Sequence, residues 1–450
     1  MEKRLTYKDY LKVTIPFMIS TVTQPLLGAV NTAIMGHMDN AMYIAAVALG
    51  VILFNNMYWL FGFLRMGTSG MTSQAYGARN LEEVTKLLLR SQLIGLLIAL
   101  AIILLQYPIA QGALFLMRPT PEISQMAQRY FNVCIWGAPA MLGLYGLTGW
   151  FIGMQDTRMP MMVAILQNVV NILASLFFVF VLDWKISGVA AGTVLAQWAG
   201  FIVSLSAACR RIRRPVRGFD LLAGRLFRAQ LHATWRHVQK RKDAWGEFFR
   251  VNKDIFLRTV CLVAVNFFFT SAGGKQGAML LAVNTLLMTL FTLFSYLMDG
   301  FAYAGEALSG KYYGAADGEG LRIIVRRLFA FGGLMAVLFT AVYVVGGEGF
   351  LRLLTDDTAV IASARPYLFW AYLIPAAGMS AFVLDGVFIG LTATKGMLFS
   401  TAVAMATFFT VYFLFWRQLG NDALWIAFLL FLAARGAASF LWMHRYSIIT

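Results

Sequence analysis

Charged side chains are scarce in this chain, and their scarcity excludes most classes of soluble protein. Asp, Glu, Lys and Arg make up 13% of the 450 residues, whereas 60% are hydrophobic and the mean hydropathy is +0.70. A soluble domain carries about 25% charged residues. Apolar runs of bilayer length recur, for example at 161–181, and about 20 apolar residues suffice for a membrane-spanning helix. The sequence therefore predicts an all-α integral membrane protein.

Residue types that carry catalytic or metal chemistry are also few. The four histidines fall in predicted loops or at helix ends, and the three cysteines lack the spacing of metal ligands. The chain contains no HExxH, GxSxG or paired catalytic Asp motif. An intramembrane enzyme is therefore the disfavoured alternative from another functional class, and we expect no organic cofactor and no metal.

Basic residues exceed acidic ones, giving a net charge of +16, and their positions indicate a membrane protein rather than a nucleic-acid binder. Of the 37 Lys and Arg residues, 27 lie on one side of the predicted helices and seven on the other. Such an excess marks the cytoplasmic side of a membrane. We therefore expect a protein of the plasma or inner cell membrane with both termini in the cytoplasm, and no nucleic-acid partner.

The chain repeats itself at an offset of 237 positions. The triplet Tyr-Gly-Ala at 76–78 recurs at 313–315, and Phe-Ile-Gly at 151–153 recurs at 388–390. Two triplets in one register, without a gap, indicate a duplicated half. In so apolar a chain, a duplicated half is typical of transporters that rock two lobes around a central path.

We predict twelve transmembrane helices in two lobes of six, related by a pseudo-two-fold axis along the membrane normal. The predicted N-lobe covers 1–209 and the C-lobe covers 254–450. The basic segment 210–253 between them is either a solvated linker or an amphipathic helix on the anionic inner leaflet. The helices are predicted near 11–35, 44–75, 91–116, 127–152, 159–182, 187–209, 254–272, 279–309, 325–346, 366–390, 396–416 and 422–443.

Four segments resemble the multidrug and toxic-compound extrusion (MATE) family, and more narrowly its DinF-like branch. They lie at 30–39, 63–80, 299–310 and 384–390. The resemblance implies two six-helix lobes around a cleft, and export of small organic cations driven by H⁺ or Na⁺. We expect such an exporter to work as a monomer in contact with membrane lipids.

The chain departs from the family pattern at its usual proton site. The family has Asp in its first helix where this chain has Asn31, and often a second acid after an Asn-Ile pair in the fifth helix. Here Asn171 and Ile172 are followed by Leu, Ala and Ser. The coupling group is therefore expected elsewhere.

Three acids fall inside predicted helices, all in the second half: Asp299, Glu306 and Asp385. A carboxylate deep in a bilayer costs about 2.5–3.5 kcal/mol, so such a group is a candidate for ion coupling. Asp299 and Glu306 are seven residues apart and lie within about 20° on one helix face. Glu306 reaching water, and Asp385 as a helix–helix hydrogen-bond partner, are the open alternatives. Neutralising Asp299 or Asp385 should abolish coupled efflux without reducing the folded yield.

Further polar residues are candidates for lining a cavity. Arg65 falls inside the second helix and needs a partner, either a carboxylate or a carbonyl-rich helix end. Gln24, Asn31, Asn168 and Asn171 either line a cavity or join helices through hydrogen bonds.

The favoured function is a cation-coupled multidrug exporter. A lipid-linked oligosaccharide flippase of the same wider superfamily is the alternative, although a pyrophosphate substrate requires a more basic cleft than three intramembrane arginines provide. A sugar or peptide transporter with two parallel six-helix halves is a further reading.

Overall fold

The computed structural model describes residues 11–21, 34, 41–117, 120–213, 242–355 and 357–445. The described chain is helical and contains no strand, which confirms the predicted all-α class. Eleven described segments are long and apolar enough to cross a membrane, and Leu11–Thr21 is a shorter apolar helix. The candidate residues Gln24 and Asn31 lie outside the described residues.

Sixteen α-helices are described, here numbered in chain order. The first nine are α1 Leu11–Thr21, α2 Ala41–Leu60, α3 Phe63–Gly77, α4 Leu81–Leu104, α5 Gln106–Met117, α6 Pro121–Cys134, α7 Ala138–Gly153, α8 Arg158–Leu176 and α9 Lys185–Arg213. The other seven are α10 Lys242–Lys275, α11 Ala278–Gly314, α12 Gly318–Leu354, α13 Thr358–Ala364, α14 Leu368–Gly390, α15 Thr394–Leu419 and α16 Asn421–Arg445.

Several helix boundaries differ from the predicted ones for identifiable local reasons. The predicted helix near 91–116 is two helices, and the first of them begins ten residues earlier, at Leu81. The Asn80 side chain caps this start by accepting a hydrogen bond from the Glu83 N–H at 3.0 Å. The predicted helix near 127–152 is divided by a 3₁₀ turn at Ile135–Gly137, just before the proline at N2 of α7.

The chain divides into two compact units. Residues 22–252 form the N unit, and residues 1–21 with 253–450 form the C unit. Within the C unit, the Phe17 ring of α1 packs edge-on against Tyr303 of α11, with ring centroids 5.9 Å apart. The predicted boundaries of the lobes and the linker, at 209 and 254, stay a prediction.

The end of the predicted linker is helical. Residues 242–252 form the first turns of α10 and belong to the N unit. Phe248 is 1% exposed and joins the apolar core of that unit, and the Arg90 guanidinium lies 5.9 Å from the Trp245 ring centroid. This part of the segment is therefore packed against protein. Residues 214–241, which carry most of the predicted linker, lie outside the described chain.

The sequence repeat corresponds to a structural repeat in the turns after α3 and α11. Arg79 and Ala316, which are 237 positions apart, have φ angles of 57° and 54°. The next residue in each turn, Asn80 or Asp317, caps the following helix by accepting from the backbone N–H three residues later. The turns after α7 and α14 also match, with φ angles of 61° and 50° at Gln155 and Thr392. Both halves therefore use the same local chain geometry.

In the N unit, α3 and α7 pack closely because α7 presents two glycines four residues apart. A Cβ atom on Gly149 would overlap the Arg65 carbonyl oxygen, and one on Gly153 would lie 2.8 Å from the Ser69 oxygen. Small residues at this spacing let two membrane helices approach each other closely. The glycine of the repeated Phe-Ile-Gly triplet therefore serves helix packing.

The C unit repeats this contact between α11 and α14. A Cβ atom on Gly386 would overlap the Ala302 carbonyl oxygen, and one on Gly390 would lie 2.7 Å from the Glu306 oxygen. All four residues are the 237-offset equivalents of those in the N unit. We name these two contacts the glycine seams. The seam of the C unit fixes the backbone of α11 where it carries the candidate acid Glu306.

A buried amide pair holds α11 against α16 in the C unit. The Asn284 and Asn421 side chains donate to each other at 2.7 and 3.0 Å, and Trp425 Nε1 donates to Asn284 Oδ1 at 2.9 Å. Asn284 and Asn421 are 2% and 3% exposed. Each N–H and C=O group left unpaired in such a place is costly, so these bonds fix which faces of the two helices meet.

Removing this pair should measurably destabilise the C unit. We expect Asn284→Ala to lower the free energy of unfolding by about 2 kcal/mol, because it removes three hydrogen bonds and leaves buried partners unpaired. Asn266→Ala is the control, since Asn266 donates only along its own helix, to the Leu262 oxygen at 2.9 Å. Denaturant unfolding in detergent micelles measures both, and equal effects of the two variants would contradict the expectation.

Candidate functional site

Three buried ionisable side chains meet inside the C unit. Asp385 of α14, Arg258 of α10 and Arg435 of α16 are each 4–5% exposed. Asp385 Oδ2 accepts a hydrogen bond from Arg258 Nη2 and another from Arg435 Nη2, the second at 3.1 Å. We name these residues the arginine–aspartate cluster. Because its members come from three helices, the cluster ties α10, α14 and α16 together.

Two aromatic rings lie close to the Arg435 guanidinium. Its guanidinium carbon lies 5.4 Å from the Phe382 ring centroid and 6.0 Å from that of Phe431, which are cation–π distances. Asp385 Oδ1 and the Nε atoms of Arg258 and Arg435 have no hydrogen-bond partner among the described residues. The cluster thus contains two positive charges, one negative charge and several donors still available.

This geometry makes Asp385 a hydrogen-bond partner of arginines on two other helices. The carboxylate accepts hydrogen bonds from two guanidiniums and is therefore the shared partner of two buried ion pairs. The structure thereby brings Asp385 together with Arg258 and Arg435, which fall inside the helices predicted near 254–272 and 422–443. The rule that an intramembrane arginine needs a partner, applied to Arg65, would have pointed to both of them.

Asp299 and Glu306 lie on α11, as predicted, and differ in exposure. Glu306 is 1% exposed, so it does not lie at a wetted boundary of the C unit. Asp299 is partly exposed and interacts electrostatically with Arg435 and with Tyr296. Asp299 is therefore the most accessible carboxylate beside the arginine–aspartate cluster.

The backbone around Glu306 is fixed by α14. Ser309 Oγ donates to the Gly305 oxygen at 2.5 Å, within α11, and contacts the Val387 oxygen of α14 at 3.4 Å. Together with the glycine seam, these contacts leave little freedom for α11 to shift along α14. A carboxyl group on this stretch is consequently held at a constant depth in the unit.

In the N unit, Asn171 joins two helices. It is fully buried on α8. Its Nδ2 atom donates a hydrogen bond to Thr193 Oγ1 of α9 at 3.0 Å, and this bond joins the two helices. Asn171 Oδ1 and Ser175 Oγ, one turn later, have no hydrogen-bond partner within the described parts of the chain. Sequence reasoning missed Thr193, which is partly buried and has no charge or motif to mark it. Asn168 is partly exposed.

Arg65 is buried on α3, 8% exposed, as the sequence predicts. The same helix carries a row of fully buried hydroxyl groups at Thr68, Ser69 and Thr72, whose oxygens have no partner among the residues described. Ser69 is the repeat equivalent of Glu306. The two units therefore place a neutral and an ionisable side chain at matching positions of matching helices.

A cavity of about 300 Å³ lies within the C unit, between α12, α14 and α16. Its lining is mostly apolar or small and includes Phe329, Ser380, Leu384, Gly436 and Phe440. The three candidate acids do not line it. In the described chain, no group of three or more His, Cys, Asp or Glu residues is placed to hold a metal ion.

Comparison with known proteins identifies the relatives of this chain. The MatE family model matches residues 16–177 and 255–414. DNA damage-inducible protein F of Escherichia coli (strain K12) is 37% identical over 425 residues, which cover 94% of this chain and 89% of that protein. Multidrug export protein MepA of Staphylococcus aureus is 21% identical over 401 residues, covering 89% of this chain and 83% of that protein.

A solved structure shares the fold. It shows the outward-facing conformation of a multidrug resistance MATE family transporter of the MOP superfamily, and it superposes with a TM-score of 0.83. The alignment covers 98% of this chain and 96% of the other, at 20% sequence identity. At that identity the likeness concerns the fold alone.

Proposed function

Because the chain belongs to the MatE family of multidrug and toxic-compound extrusion transporters, we propose that it exports small organic cations in exchange for H⁺ or Na⁺. The family consists of transporters rather than enzymes. The many apolar helices agree with a multi-pass membrane protein. Alternating access requires the driving ion and the exported compound to favour opposite conformations.

The observation that carries the proposal is the group of ionisable side chains inside the C unit. A coupling site needs a carboxylate that is sheltered from bulk water and that can also exchange an ion. Glu306 is fully buried, whereas Asp299 is partly exposed beside Arg435. We assign the exchanged H⁺ or Na⁺ to Asp299, with Glu306 as the second coupling candidate on the same helix.

Asp385 takes a different role in this proposal. The Asp385 carboxylate already accepts hydrogen bonds from two guanidiniums at its Oδ2 atom. It acts as a fixed negative charge that positions Arg258 and Arg435. In the N unit, Arg65, Asn168 and Asn171 remain proposed cavity residues, and Gln24 and Asn31 remain candidates from the sequence.

Orientation and partners belong to the same proposal. The asymmetry of 27 Lys and Arg residues against seven supports cytoplasmic termini in the cell membrane. We propose a monomer as the working unit, surrounded by membrane lipids, with no resident cofactor.

The free energy available to the exchange depends on the net charge that it moves across the membrane. One proton moving inward through about 150 mV releases roughly 3.5 kcal/mol, at about 2.3 kcal/mol per 100 mV. Since a tenfold concentration ratio corresponds to about 1.4 kcal/mol, one proton supports a gradient of several hundred-fold. This holds for an uncharged compound. Exchange of one H⁺ for one monovalent organic cation moves no net charge, and a pH gradient then supplies about 1.4 kcal/mol per pH unit.

Transport by purified protein in proteoliposomes tests the proposal, with a pH gradient and a Na⁺ gradient imposed separately and a fluorescent organic cation as substrate. We expect Asp299→Asn to reduce gradient-driven transport at least tenfold, because the amide cannot take up the ion. Folded yield should stay at the wild-type level, since Asp299 is partly exposed.

Glu348→Gln is the matched control. Glu348 lies in the same unit and accepts from Arg352 and Arg365 at 3.0 and 2.7 Å near the surface. Its neutralisation should leave transport unchanged. Wild-type transport rates in Asp299→Asn under both gradients would refute the assignment, and failure of the wild type to respond to either gradient would refute cation coupling.

A further inference from the structure

We propose that the arginine–aspartate cluster of the C unit also binds a monovalent anion, either chloride or the carboxylate of an organic solute. The inference goes beyond cation exchange. It rests on the proposed function in one respect only, namely that Asp299 is the group that is protonated. The remaining steps follow from the charges, donors and burial of Arg258, Asp385 and Arg435.

The first step is the charge inside the cluster. Arg258 and Arg435 contribute two positive charges, and Asp385 cancels one of them. All three side chains are 4–5% exposed, so bulk water does not stabilise the remaining charge. An uncompensated charge at such a place is costly, and a negative group that enters beside it is therefore favoured.

The second step is the supply of hydrogen-bond donors. A guanidinium has five N–H groups in one plane, arranged to bind carboxylates and other anions. Both guanidiniums meet at one oxygen, Asp385 Oδ2, and their Nε atoms have no partner in the part of the chain that is described. The rings of Phe382 and Phe431 lie at cation–π distance from the Arg435 guanidinium and offer it no hydrogen-bond acceptor. Donors and excess charge thus coincide.

The third step concerns Asp299, the neighbouring negative group that interacts with Arg435. When Asp299 is ionised, the four side chains Asp299, Asp385, Arg258 and Arg435 sum to zero charge. When Asp299 is protonated, one positive charge remains and an anion replaces the lost counter-charge. Proton binding and anion binding therefore strengthen each other, and this coupling is reciprocal. Tyr296, Tyr303 and Glu306 are the other titratable groups on this stretch of α11.

Thermal unfolding of the purified full-length protein in detergent tests the proposal, followed by tryptophan fluorescence. Sodium chloride and sodium phenylacetate are compared with sodium gluconate at equal ionic strength, at pH 5.5 and pH 8. Gluconate is the reference because burying its hydroxyl groups without hydrogen-bond partners is costly. We expect at least one of the two probes to raise the wild-type unfolding midpoint by about 3 °C at pH 5.5, and less at pH 8.

Two variants make the test specific. Asp299→Asn should show the shift at both pH values, because its positive charge excess is permanent. Arg435→Gln should lose the shift, because Arg258 and Asp385 then form a neutral pair. Glu348→Gln is the control and should behave as the wild type. If Arg435→Gln does not fold, Asp299→Asn decides the matter alone.

The outcomes distinguish chloride from a solute carboxylate. They also distinguish failure of the anion-binding proposal from failure of the proposed function. A shift with chloride identifies an inorganic ion, and a shift with phenylacetate alone identifies a solute carboxylate. Absence of both shifts in Asp299→Asn at both pH values overturns the proposal. Because no gradient or transport is involved, a normal anion shift combined with uncoupled transport in proteoliposomes counts against the proposed function only.

Discussion

Asp385→Ala should abolish stable folding of the C unit. The substitution leaves Arg258 and Arg435 buried without the carboxylate that both contact, and removing one partner of a buried ion pair destabilises a protein by about 3–5 kcal/mol. That amount is a large part of the total stability of a typical domain. Fluorescence-detected size-exclusion chromatography of the variant in detergent measures the folded fraction, which we expect to fall well below half of the wild-type value.

Matched variants distinguish the effect of unpaired buried charges from a general packing defect. Arg435→Gln leaves one neutral ion pair and should be milder than Asp385→Ala. The triple variant Asp385→Asn/Arg258→Gln/Arg435→Gln removes every charge of the cluster and should recover folded protein. A wild-type elution profile for Asp385→Ala would contradict the reading of the cluster. This expectation replaces the one drawn from sequence, in which neutralising Asp385 leaves the folded yield intact.

Gly386→Ala should be the most damaging single methyl addition in the C unit. The new Cβ would overlap the Ala302 carbonyl oxygen, a backbone atom that no rotamer change can move away. Helices α11 and α14 must then separate, and overpacking of this kind costs about 3 kcal/mol. We expect the unfolding midpoint to fall by about 6–12 °C, since 1 kcal/mol corresponds to about 2–4 °C for a domain of this size.

Gly349→Ala is the control for this prediction. Gly349 lies in α12 of the same unit, and its added Cβ would meet nothing within 4 Å. Because alanine favours a helix over glycine, this variant should be neutral or slightly stabilising. Similar losses in both variants would show that loss of glycine itself, and not the glycine seam, is responsible.

Much of the fold was predictable because its signals are local or repeated. Apolar length sets the membrane helices, and the offset of 237 correctly marks turns that have the same φ angles at Arg79 and Ala316. Boundaries were less predictable. The start of α4 is fixed by a hydrogen bond that the Asn80 side chain accepts from the Glu83 N–H. The first turns of α10 are ordered by the packing of Phe248 into the apolar core of the N unit.

The sequence predicts which residues belong to the candidate site, but it does not predict which of them pair. Scarcity of acids led to Asp299, Glu306 and Asp385, but nothing in the sequence relates Asp385 to Arg258, 127 positions earlier. Such pairs depend on which faces of the three helices lie against one another in the folded protein. For the same reason Thr193 was missed, because its contact with the Asn171 amide depends on how α8 and α9 pack.

The two glycine seams have a practical consequence for ion stoichiometry. Ser69 occupies in the N unit the place that Glu306 occupies in the C unit, and the surrounding backbone contacts are alike. A carboxyl group installed by Ser69→Glu would therefore sit on an already matching scaffold. The duplicated architecture therefore allows a second titratable side chain to be engineered, which would change the number of ions exchanged per transport cycle.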